Sequence, residues 1–166
     1  MTRKRGIMDR EQVIKMLKFL KWVDEQMEYN VHLAREIEDN YYTLNKGAGL
    51  DGMPTAQHRI SSPTEMAVVN IPETVSDSLK RYEKTNELYR RLKAAITHEL
   101  HRLPYLQHKV IFDFYVRGRG WANISSELHY SDRQCQNIRD AALDRLSDYF
   151  ASNELIADYE NDYFPA

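Results

Sequence analysis

The chain has 166 residues, 42% of them apolar and 29% charged, with a formal net charge of −2 at neutral pH. That length supports one or two small domains with a modest core, and the near balance of charge gives no global basic signature of a nucleic-acid binder. The single cysteine, Cys135, excludes an intramolecular disulfide framework, and neither the basic start nor any apolar run reads as a secretory signal or membrane span, so the expectation is a soluble cytoplasmic protein without membrane association.

From about Ile7 to Leu44 neither proline nor glycine interrupts the chain. Val13, Met16, Leu20, Val23, Met27, Asn30, Ala34, Ile37, Tyr41 and Leu44 fall at alternating spacings of three and four, a heptad seam with one polar member. At ~1.5 Å per residue such a helix would exceed ~50 Å, so it needs a partner. A second amphipathic stretch, Val75, Leu79, Tyr82, Asn86, Tyr89, Leu92, Ile96, Leu100 and Leu103, is available and ends at Pro104. The pair reads either as a helical hairpin within one chain or as the interface of a homodimer, with Asn30 fixing register or oligomeric state. Between them, residues 46–72 form a connector rich in Gly, Pro and Ser. Within it Ser62-Pro63-Thr64-Glu65 has the cap, proline and glutamate that start a short helix through Met66 to Val69.

After Pro104, Leu106, Val110, Ile111 and Phe114 predict a further helix, stopped by Gly118-Arg119-Gly120. Trp121, Ile124 and Leu128 then mark one short helix, with Ser125 as a small residue where another helix can approach. His129 and Tyr130 break it. Ser131 and Gln134 form a capping box that opens the next helix through Leu146. There Cys135, Ile138, Ala142 and Leu143 mark the inward face, and Arg133, Gln136, Asn137 and Asp140 point away. Arg, Gln and Asn on an exposed helix face supply the donors and acceptors that read major-groove base edges. This is a helix-turn-helix, and double-stranded DNA is the leading partner. The bland alternative is a helical hairpin that only packs. Arg117 and Arg119, flanking a glycine ahead of the motif, are either phosphate anchors or solvated turn residues.

Past Arg145 the chain carries no Lys or Arg and gains acidic and aromatic residues, so 151–166 reads as an acidic aromatic tail. His98, His101 and His108 have a spacing compatible with a metal, but the ligand count favours ordinary surface histidines, and no metal or cofactor is expected. No phosphate loop, nucleophile elbow or paired-carboxylate arrangement is present in the sequence, so it points away from an enzyme.

The block LPYLQHKVIFDFYVRGRGWANISSELHYSDRQCQNIRDAALDRL resembles region 4 of bacterial sigma factors, and the whole chain is similar to phage-encoded sigma-like regulators of the ArpU and RinA type. The resemblance is strong after Leu103 and weaker before it, where the Ser62 to Glu65 segment carries it. It implies sequence-specific regulation of phage or prophage genes, late-operon activation in particular, with RNA polymerase as a further partner. It places base contacts on Asp132, Arg133, Gln136 and Asn137, with Arg117, Arg119 and Arg139 positioning the module. Two residues depart from the family pattern: Asp132 stands where a basic residue is usual, and His129 where glycine is usual. The alternatives are a small terminase subunit marking DNA for packaging, and an interaction protein acting on RNA polymerase or a sigma factor without touching DNA.

The expected architecture is therefore all-α: a long-helix region over 1–103, a helix-turn-helix domain over 104–150 and the tail. On this reading a fragment from Leu103 onward keeps its fold. Because the module is nearly neutral, that fragment needs dimerisation or the polymerase for affinity.

Overall fold

The computed structural model describes residues 8–47 and 72–163, and within these the chain is all-helical. Six α-helices follow in order: α1 (Arg10–Gly47), α2 (Glu73–His101), α3 (Tyr105–Ile111), α4 (Trp121–Leu128), α5 (Asp132–Ser152) and α6 (Glu154–Tyr163), with a π-helical turn, Phe112–Val116, between α3 and α4. The short helix expected from Met66 to Val69 lies outside the described residues, as does most of the connector. No described helix is long and apolar enough to cross a membrane.

Local signals account for the helix starts and stops. Asp9 and Gln12 cap α1 reciprocally, each backbone N–H donating 2.8 Å to the other's side-chain oxygen. Ser131 and Gln134 make the expected capping box at α5. His129 ends α4 in the left-handed region, at φ 57° and ψ 36°, and its N–H reaches back to the Ser125 carbonyl. Glycine is the usual solution there; histidine tolerates the conformation better than most residues.

Packing divides the chain differently from the sequence. One compact unit combines Met1–Asp24 with Tyr89–Ala166, and the other is Glu25–Leu88. α1 and α2 each contribute to both. The expected boundary at residue 103 therefore cuts through the first unit rather than between units. The reason is visible in α1, where Leu17 and Phe19 are buried alongside the seam residues Val13, Met16, Leu20 and Val23. A heptad stripe alone would leave Leu17 and Phe19 exposed; here the start of α1 is covered on more than one side. Arg10 makes a bidentate pair with Asp144 of α5 at 2.7 Å, and Ser147 of α5 donates its hydroxyl to the Met8 carbonyl.

The acidic, aromatic stretch after residue 150 is helical through Tyr163. Residues 154–163 form α6, which buries Ile156 and Tyr159, with the Tyr159 ring 5.8 Å from that of Phe19. Asn153, at the α5–α6 junction, donates to the buried Glu99 carboxylate, which also accepts from Arg102. Glu154 and Asp158 lie exposed on the same helix.

In the unit Glu25–Leu88, α1 and α2 pair within the chain. Asn30, the polar member of the seam, is buried and donates 2.8 Å to Asn86, which in turn donates to the Met27 carbonyl at 3.1 Å. Gln26 completes the Asn30 oxygen at 3.3 Å. A satisfied amide pair of this kind favours one register over its neighbours. Replacing Asn86 alone by leucine strands the Asn30 amide, and a loss of about 1–3 kcal/mol is expected in chemical denaturation. The double substitution Asn30→Leu/Asn86→Leu should recover most of that loss; a double variant as unstable as the single would contradict the pairing energetics.

Candidate nucleic-acid interface

The helix-turn-helix is built around a small apolar cluster. Val110, Ile124 and Cys135 are fully buried, and Phe114, Trp121, Leu128 and Ile138 pack against them. Leu143, one turn and more along α5, is buried as well. The inward residues expected on α4 and α5 thus face the interior, with Leu128 and Ile138 only partly covered. Phe114 and Trp121 stack at 4.2 Å, fixing the start of α4 against the π-helical turn. Burial pushes the Cys135 thiol up, away from the reactive thiolate.

With that face buried, the opposite face of α5 is presented outward. Asp132, Arg133 and Asn137 are exposed and Gln136 is partly so. None of the four side chains makes a hydrogen bond or ion pair with another described residue. They occupy the first two turns after the capping box, which is where a recognition helix meets base edges. Their full hydrogen-bonding capacity is available to a ligand.

The three arginines expected to position the module are engaged. Arg139 is bound to its neighbour Asp140 at 2.6 Å, and its guanidinium lies 5.4 Å from the Trp121 ring centre. Arg117 pairs with Asp113 at 3.0 Å but keeps 57% of its side chain exposed. Arg119, 30% exposed, bridges Asp113 at 2.9 Å and Glu127 of α4. Arg117 thus retains access to a phosphate, whereas Arg119 and Arg139 are turned first to internal partners.

Asp113 is the functional-site residue that sequence reasoning passed over. It is 1% exposed, and it accepts from Lys109 at 2.8 Å as well as from both arginines. Lys109 also binds Glu127 at 2.8 Å. The spacing of Lys109, Asp113 and Arg117, four residues apart each time, was the available signal. What the spacing did not give was burial, which arises in the wider π-helical turn. Burial alone would raise the Asp113 carboxyl, yet the hydrogen bonds and charges of Lys109, then Arg119, hold it below the ordinary aspartate value. Glu127 is lowered from 4.5 to about 2, by hydrogen bonds from Lys109 and then Arg119. This ionic hub ties α3, the turn and α4 together and so sets where α5 stands.

His101 and His108 lie with ring centres 5.1 Å apart, and His98 sits beside Glu99 at 3.6 Å. Among the described residues no group of three or more His, Cys, Asp or Glu side chains gathers as a metal site.

Comparisons of the chain with protein-family models, with curated proteins and with solved structures find no match. The functional reading of the site therefore rests on its side chains.

Proposed function

We propose that the chain is a sequence-specific DNA-binding regulator of transcription, in which α5 enters the major groove and Arg133, Gln136 and Asn137 read base edges. The observation that carries this reading is the row of outward, unpartnered polar side chains on the first two turns of a capped helix. Arg suits guanine and Asn or Gln suits adenine because each pairs two hydrogen bonds with one base edge. Asp132, beside them, disfavours some bases by repulsion and tunes the choice. The sigma-region-4 resemblance supports a role at promoters of phage or prophage genes, with RNA polymerase as a second partner.

The module's charge supports the need for that second contact. Lys109 and Arg119 are neutralised by Asp113 and Glu127, so few cations remain for phosphates, whose neutralisation supplies most non-specific affinity. A second copy of the chain or the polymerase would supply the rest.

Selection from a random duplex library tests the reading. The full chain should enrich one defined site, and Arg133→Ala or Asn137→Ala should relax the preference at one position, at a cost of about 1–3 kcal/mol of discrimination. Absence of any enriched site would refute base reading and leave the protein as one that acts on other proteins through its long helices.

A further inference from the structure

The turn that leads into α4 is not built from its own strand of sequence alone. Gly118 stands there at φ +68°, a conformation that favours glycine, and the nearest group to its missing side chain is the Lys21 ammonium of α1, 3.5 Å from where a Cβ would stand. Lys21 is exposed, and its ammonium has no hydrogen-bond or ion-pair partner among the described residues. The neighbouring cations differ. Arg119 is held by two carboxylates and Arg117 by one. α1 therefore carries an uncommitted positive charge onto the turn where the sequence offers only engaged ones.

The geometry points to Lys21 as a phosphate anchor of the DNA-binding module, supplied by the N-terminal helix from 97 residues upstream of Gly118 in the chain. The inference rests on the DNA-binding reading and extends it. Packing of Val13, Leu17 and Leu20 in the same compact unit as α5 fixes the face of α1 that Lys21 occupies, so only its side chain has to be ordered on contact. Three cations at the hub, Lys109, Arg117 and Arg119, against two carboxylates leave one net positive charge beside the turn. Lys21 raises it, and together with the exposed Arg117 it can hold a backbone phosphate while α5 lies in the groove. The N-terminal helix would then add affinity but no sequence information.

Full-length protein carrying Lys21→Gln should bind both its selected duplex and a random duplex about 5–10-fold more weakly near 0.1 M salt, and the slope of log affinity against log salt should fall by about one. Lys21→Arg should restore the slope, and Lys18→Gln, an exposed lysine on the same helix, should behave as the unchanged chain. Thermal melts of all variants should coincide, because Lys21 is exposed. Unchanged affinity and slope in Lys21→Gln, or equal losses in Lys18→Gln, would overturn the anchor while leaving base reading by α5 in place. Failure of the unchanged chain to bind any duplex would end both.

Discussion

A fragment beginning at Leu103 should fail to unfold cooperatively, although it contains the whole helix-turn-helix. Its apolar residues Ala142, Leu143, Leu146, Phe150 and Ile156 are buried in a unit to which α1 and the second half of α2 also belong. Val13, Met16, Leu17, Phe19, Leu20, Leu92, Ile96 and Leu100, all buried, are missing from such a fragment. Each large side chain left without a covering neighbour costs roughly 1.5–3 kcal/mol relative to full burial. Several such losses are comparable to the roughly 5–15 kcal/mol that stabilises a typical domain. The fragment also loses the Arg10–Asp144 pair and the Ser147 bond to Met8. The expected readout is a broad, non-sigmoidal thermal transition with dye-accessible apolar surface. A sharp melt, with the helicity these residues have in the full chain, would show that the helix-turn-helix supports itself.

Removing the charge of Asp113 should have the next largest effect. Asp113→Asn leaves Lys109 and Arg119 beside a neutral amide in place of their buried carboxylate, and breaking a buried ionic arrangement from one side costs about 3–5 kcal/mol. The lower end, about 3 kcal/mol, is expected because the cations can reorient toward solvent. The pH dependence gives a sharper check. Asp113 and Glu127 are both more acidic in the folded chain than their ordinary values of 3.8 and 4.5. For such groups the unfolded chain binds protons first, so their stabilisation is present at neutral pH and is lost as pH falls through the folded values. For Glu127 that window runs from about 4.5 down to about 2. Melting temperature of the unchanged chain should therefore drop steeply across this window, and that of Asp113→Asn less steeply. A gap between the two that stays constant from pH 7 to pH 2.5 would contradict the hub's role.

The ionic hub and the recognition face depend on each other. α4 is held at one end by Phe114 on Trp121 and at the other by Lys109 and Arg119 on Glu127. α5 follows after a three-residue turn, so its presentation of Arg133 and Asn137 inherits that anchoring. The presentation of Arg133 and Asn137 and the acid sensitivity of the fold are thereby linked through one buried carboxylate.

How much of this was legible in the chain divides along a physical line. Features whose causes lie within a few residues were read correctly from the sequence: the bounds of α4, the Ser131–Gln134 capping box, the turn at His129 and the inward face of Ile124, Cys135 and Ile138. The Asn30 and Asn86 positions were visible as polar members of two apolar stripes, but their mutual bond was not. Periodicity states which face of a helix leaves water, and it is silent about what covers that face. Only the tertiary structure decided that the start of α1 belongs to the unit holding the helix-turn-helix, that residues 154–163 pack as a helix, that a π-helical turn buries Asp113, and that Lys21 comes to rest beside Gly118. Each of these joins residues far apart in sequence, where the deciding quantity is the sum of contacts across several helices rather than the propensity of any one.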